Sequence, residues 1–129
     1  MGLFTGIRPT NLGIKNNCLA DCPSTPNCVS SQGQGDYYIE PYALNDCDAE
    51  WEKLKTVLVS YPRSSIIKST ENYIYMESTS RLLRYVDDVE FYLDPDAKLI
   101  HVRSASRIGR TDFGVNRNRI EDIRSLLYK

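Results

Sequence analysis

The stretch "RSASRIGRTDFGVNRNR", residues 103–119, carries five arginines and a single acid in a chain whose net charge is only −1. Just upstream, Asp87, Asp88, Glu90, Asp94 and Asp96 fall within ten residues. Three kinds of chemistry fit this juxtaposition. In the first, Arg103, Arg107 and Arg117 neutralise the acids in an ion-pair network, which perturbs titration without catalysing anything. In the second, the loop "SASRIGRTDFG" delivers Ser104, Ser106, Arg107 and Arg110 towards the start of a helix near Asn116. Its unpaired N–H groups there attract a phosphate, sulfate or carboxylate, or the chain's own Asp112. Gly109 and Gly114 supply the turns that this loop needs. In the third, Asp87 or Asp88 works with His101, the one histidine, as an acid–base pair. A lone histidine beside a carboxylate on a sheet face is more often a surface pair. No nucleophile elbow, phosphate-cradling glycine loop or dinucleotide fingerprint occurs.

The four cysteines, Cys18, Cys22, Cys28 and Cys47, are spaced irregularly and lack the paired C-x-x-C pattern of a zinc site. "CPSTPNC" brings Cys22 and Cys28 together through two prolines. A small disulfide-closed loop is geometrically reasonable in an oxidising compartment, and a pair of packed thiols in a reducing one. Cys47 precedes a helix, where packing is its expected role.

The elements that must position these groups follow from periodicity. Residues 1–35 hold five of the seven glycines, three of the six prolines and three of the four cysteines, with only Arg8, Lys15 and Asp21 charged. That composition reads as an irregular lead-in. Its low charge predicts that it packs on the body rather than trailing in solvent, with Leu3, Phe4, Ile7, Leu12, Ile14 and Val29 as anchors. From residue 36 onward a regular body is expected. Tyr37–Leu44 reads as an edge strand because of Pro41, and "DAEWEKLKTVLVSY" as an amphipathic helix ended by Pro62. "SIIKS" and "YIYMES" form a hairpin, strands follow over Leu83–Leu93 and Lys98–Ser104, and a helix capped by Asn116 runs to Leu127. If Asp94–Ala97 is the turn of the second hairpin, Val89 faces Val102, Phe91 faces Ile100, Asp88 faces Arg103 and Glu90 faces His101.

The expected fold is therefore α+β: a two-layer domain with a five-stranded, mainly antiparallel sheet and two helices on one face. The order is β-α-β-β-β-β-α, like that of the TATA-binding protein, with a helix-grip arrangement as the competing choice. The length suits one domain with one core. A sequence pI near 5.8 argues against a dedicated nucleic-acid binder. No run is long enough to span a membrane, and the opening "MGLFTGIRPT" lacks the apolar core of a secretory signal, so the chain as written is expected in the cytoplasm.

Read in order, "GIRPTNLGIKNNCLADCPSTPNCVSSQ", "YVDDVEFYLD" and "IHVRSASRIGRTDFGVNRNRIEDIR" resemble the domain of unknown function family 1499, from about Phe4 to Leu127. The family pattern falls on Cys22, Cys28, Asp87, Asp88, Glu90, Arg103, Ser104, Ser106, Arg107, Asp112, Asn116, Arg117 and Arg119, among others. Cys18 and Cys47 stand outside it. The resemblance implies occurrence in bacteria, photosynthetic ones included, and in plastids, with some members exported to the envelope. It implies no activity.

Together these readings point to a non-enzymatic binding or assembly module. Its polar site draws on Asp87, Asp88, Glu90, Arg103, Ser104, Ser106, Arg107, Arg110, Asp112, Asn116 and Arg117, with Cys22 and Cys28 as the disulfide candidates. The alternative is a small hydrolase or transferase acting on an anionic substrate through Asp87, Asp88, His101 and Arg107. The expected partner is a protein or a small anion, with no metal, cofactor or nucleic acid called for. Peripheral association with the thylakoid or envelope membrane is compatible with the sequence.

Overall fold

The structure is a computed structural model and describes residues 6–81, 84–108 and 114–129. Its elements are β1 (Cys28–Ser30), a 3₁₀ turn (Gly35–Tyr37), β2 (Tyr42–Ala43), α1 (Cys47–Val59), β3 (Ser64–Ser69), β4 (Tyr73–Thr79), β5 (Val86–Asp94), β6 (Leu99–Ser106) and α2 (Val115–Leu127). This is the expected α+β class, built on an open antiparallel sheet of six strands rather than five. The sheet runs β1-β6-β5-β4-β3, and β2 pairs with β6 beside β1. From β2 onward the chain follows the expected β-α-β-β-β-β-α order. The additional strand, β1, lies inside the segment read as irregular, where three residues flanked by proline and glycine carry too little period-two signal to reveal it. The edge strand expected over Tyr37–Leu44 shrinks to two residues, Tyr42 and Ala43, for a related reason. The preceding carbonyls of Glu40 and Pro41 accept hydrogen bonds from Arg124 on α2 instead of a ladder.

Local chemistry accounts for the helices. Asp46 caps α1 by accepting from the Ala49 amide, and Glu50, one position beyond that of a capping box, reaches back to the amides of Asn45 and Asp46. The cap of α2 is Gly114, at φ 80°, and not Asn116 as expected. A left-handed residue there suits glycine, and it turns Asn116 inward as a helical residue that is fully buried.

Both helices lie on one face of the sheet. Trp51, Leu54 and Leu58 of α1 and Ile120, Ile123 and Leu127 of α2 close over Ile74, Met76, Val89, Phe91, Ile100 and Val102. Each side chain of this size removed from water contributes about 1.5–3 kcal/mol, so this layer supplies most of the driving force. The opposite face is also covered. The lead-in crosses it, setting Leu19 with Leu12 and Ile14 against Tyr73, Tyr75 and Tyr92. These lead-in residues cover the sheet face that the helices leave open. Of the other expected anchors, Val29 joins the helix-side core, Ile7 is 90% exposed and anchors nothing, and Leu3 and Phe4 lie outside the described residues.

The β5–β6 hairpin turns over Pro95–Lys98, one residue later than expected, with Lys98 in the left-handed region at φ 56° and Asp94 opposite Leu99. The pairs become Val89 with Ser104, Glu90 with Arg103, Phe91 with Val102 and Tyr92 with His101. The Asp94 carboxylate accepts from the Ala97 amide, which holds this later turn. Moving the turn by one residue advances each strand equally, so every side chain keeps its face while its partner changes. The expected start of β5 at Leu83 lies outside the described residues, and the strand begins at Val86.

Candidate functional site

Because side chains alternate along β5, its two adjacent aspartates face opposite ways. Asp87 shares the helix side with Val89 and Phe91, whereas Asp88 and Glu90 face the lead-in. The polar residues expected to form one site therefore make two, back to back through the sheet.

On the helix side, Arg119 of α2 places Nη2 2.8 Å from Asp87 Oδ2. Its Nη1 donates to Asn116 Oδ1 at 2.9 Å and to Ser104 Oγ at 3.2 Å. Ser104 Oγ donates to Asn116 Oδ1 at 2.6 Å, and Asn116 Nδ2 donates to Ser106 Oγ and to the Asn27 carbonyl. Asn116 and Arg119 are one helical turn apart, which puts both on the face of α2 that meets β6. The result ties α2, β6, β5 and the residue before β1 through buried groups.

On the lead-in side, Arg107 follows β6 and donates to both carboxylate oxygens of Asp88, with Nη2 2.9 Å from Oδ1 and Nε 3.0 Å from Oδ2. Nη2 also meets the Tyr75 hydroxyl and the carboxylate of Glu77. Tyr75 donates to Asp88 and Glu77, and Arg8 from the lead-in donates to Glu77 at 2.7 Å. Partial burial works to raise the Glu77 carboxyl, but hydrogen bonds from Arg8, Tyr75 and Arg107 outweigh it and hold the group at about 2. Burial pushes the Tyr75 hydroxyl up, and its bonds to Asp88 and Glu77 push the same way. Gly6, at φ 70°, lets the lead-in pass against this cluster: a Cβ there would sit 2.9 Å from Arg107 Cβ.

One strand pair further along, Glu90 Oε2 accepts from the Tyr73 hydroxyl at 2.5 Å and from the Gly13 amide at 2.8 Å. Its Oε1 is 3.6 Å from Arg103 Nη1, an ionic contact longer than a hydrogen bond. Burial raises the Glu90 carboxyl, against the pull of Tyr73, Gly13 and Arg103. Arg103 reaches on to the carbonyls of Ala20 and Asp21. It thereby holds the loop closed by the Cys22–Cys28 disulfide, whose Cα atoms are 5.7 Å apart. Cys18 and Cys47 carry free thiols.

The expected residues thus divide. Asp87, Ser104, Ser106 and Asn116 gather on the helix side, and Asp88, Glu90, Arg103 and Arg107 on the lead-in side. Arg117 joins neither and donates to the Asp36 carbonyl. Arg110 and Asp112 lie outside the described residues. His101 faces the lead-in, hydrogen-bonds to Ser31 Oγ at 3.0 Å and stacks on Tyr92. Burial lowers its pKa, with Asp94 pulling the other way. It cannot meet Asp87, which is on the other side of the sheet.

Tyr73, Tyr75 and Glu77 were missed as site residues, although their alternation in "YIYMES" marks them as one face of a strand. Arg8 and Gly13 carry no such signal, because only folding brings the lead-in across. Arg119 carries a signal in its spacing from Asn116.

Over residues 18–127, which include the acids of both faces, the sequence matches the family described as protein of unknown function, DUF1499. The chain belongs to the DUF1499 family. No curated protein matches it. The DUF1499 match spans the disulfide, both aspartates and all the arginines of the 103–119 stretch, and it begins after the part of the lead-in that supplies Arg8 and Gly13. Among the described residues no helix is long and apolar enough to cross a membrane.

Proposed function

We propose that this DUF1499 chain is a non-enzymatic binding or assembly module in which the Asp/Arg clusters are the frame. One observation carries the reading. Asp87, Asp88 and Glu90 are each at most 1% exposed, and each faces an arginine from outside β5: Arg119 on α2, Arg107 just after β6 and Arg103 on β6. Charges matched in this way fix which segments sit together, and they leave little to offer a substrate. The separation of Asp87 from His101 by the sheet also weighs against the alternative of a hydrolase or transferase using both. The Cys22–Cys28 disulfide favours an oxidising compartment, in line with envelope association rather than the cytoplasm.

Arg107→Ala tests the reading. As part of a frame, Arg107 is expected to cost about 3–5 kcal/mol on removal, because Asp88 is left buried without its arginine. The lead-in should become sensitive to proteolysis at the same time. A variant that keeps its melting temperature and its protease resistance, yet loses stabilisation by added anions, would instead make the cluster a ligand site.

A further inference from the structure

We infer that the chain binds a phosphate-bearing ligand in a basic cleft at the end of the sheet where the α1–β3 turn meets the β4–β5 turn. The inference rests on reading the buried clusters as frame, since it concerns arginines that the frame does not use. Arg8, Arg103, Arg107, Arg119 and Arg124 each meet a carboxylate, and Arg117 meets a backbone carbonyl. Among the described residues, Arg63, Arg81 and Arg84 meet none, and these three converge on one place. Two adjoining clefts of about 490 and 530 Å³ share Arg63, Thr79, Ser80 and Arg81 in their walls, and Arg84 lines the second.

The convergence is built by the backbone. The Thr79 amide donates to the Arg63 carbonyl at 2.9 Å, which locks the α1–β3 turn against the end of β4. Paired hydrogen bonds join Ser80 to Tyr85, and Arg81 and Arg84, next to them in the chain, both line the second cleft. Arg63 and Arg84 both adopt left-handed backbone, at φ 52° and 56°, a conformation costly for any residue with a Cβ. Such strain is retained where the surroundings impose it, and it gathers at binding sites.

The chemistry of the walls selects the ligand. Three guanidiniums provide planar, permanently charged donor forks, and the hydroxyls of Thr79 and Ser80 can donate beside them. Glu77 in the second cleft is matched by Arg8 and Arg107; Asp122, in the first, accepts from the neutral Tyr61 hydroxyl at 2.8 Å and keeps its charge, so the larger positive surplus is in the second cleft. Arg119, in the wall of the first cleft, is matched by Asp87. The surplus of positive charge suits a phosphomonoester, which carries about −1.5 to −2 and three acceptor oxygens. A soluble phosphate and a phospholipid headgroup share this chemistry.

The test uses the full chain and a triple variant, Arg63→Asn, Arg81→Gln, Arg84→Asn; asparagine tolerates the left-handed backbone at 63 and 84. Inorganic phosphate is titrated by calorimetry at constant ionic strength. In a second arm the chain is sedimented with vesicles of phosphatidylcholine, alone or mixed with phosphatidic acid. A charge-matched control carries Lys15→Gln, Lys68→Gln and Lys129→Gln.

The expected result is saturable binding that the arginine variant weakens by about tenfold or more and the lysine control does not. Binding of phosphate in solution supports the inference with a soluble ligand. Binding only to phosphatidic acid vesicles supports it with a lipid headgroup. It is overturned if the native chain binds neither probe, or if the lysine control loses as much as the arginine variant. Unchanged binding by the arginine variant overturns the cleft assignment alone. Loss of phosphate binding by a folded Arg107→Ala chain overturns the frame reading and the cleft together.

Discussion

Replacing Arg119 with methionine should be among the most damaging single changes in this chain. The Arg119 side chain is 6% exposed and that of Asp87 2%, so neither is screened by water. Methionine fills much of the same volume but removes the charge 2.8 Å from Asp87 and the donors to Asn116 and Ser104. Breaking a buried pair from one side costs about 3–5 kcal/mol, because the remaining charge stays desolvated without its counterion. For a domain between the sizes usually tabulated, about 4 °C is lost per kcal/mol, which gives a drop of roughly 12–20 °C in Tm. Asp87→Leu alone should cost a similar amount by stranding Arg119. The double variant Asp87→Leu, Arg119→Met should recover most of the loss, since replacing both members with apolar groups of similar size is often near neutral. Urea titrations of the four proteins, followed by Trp51 fluorescence and far-ultraviolet circular dichroism, give the coupling energy directly. Losses below about 1 kcal/mol in the single variants, or strictly additive losses in the double, would refute the claim that this pair locks α2 to the sheet.

The disulfide and the titrating groups give further testable outcomes. The Cys22–Cys28 bond spans a sequence separation of 6, and closing so short a loop is worth about 2 kcal/mol in the unfolded chain; Cys22→Ser with Cys28→Ser should lower stability by that amount. Thiol titration should find two reactive groups before reduction and four after reduction in denaturant, and four before reduction would contradict the bond. The pH dependence should have two limbs. The His101 pKa is lowered in the fold from 6.5, so its contribution is complete above that value and is lost as pH falls through it towards the folded pKa. Glu77, held at about 2 against an ordinary 4.5, contributes fully above 4.5 and fades between 4.5 and 2. Chemical denaturation across pH should lose the first limb in His101→Gln and the second in Glu77→Gln; an unchanged profile in either variant would contradict that assignment.

Hydrophobic period is a local property, so the α+β class is legible in the sequence alone. The spacing of Trp51, Leu54 and Leu58 marks α1, the alternation in "YIYMES" marks β4, and the turn residues between them set the order of elements. It also marked which residues of β5 and β6 share a face, since parity survives the one-residue error in the hairpin turn. The remainder depends on long-range packing. β1 is too short to announce itself, and its pairing with β6 is earned only once β6 is in place. The acids and arginines read as one site became two clusters, because Asp87 and Asp88 are neighbours in sequence and opposite across a sheet. Glu77 and Arg8 entered the lead-in cluster from 69 residues apart, a contact that no local pattern encodes. Separation in sequence also hid the basic cleft. Arg63, Arg81 and Arg84 are unremarkable in two different turns until the Thr79–Arg63 bond draws the ends of β3 and β4 together. Periodicity is written in neighbouring residues, whereas charge pairing depends on where distant segments are brought by burial of the apolar face.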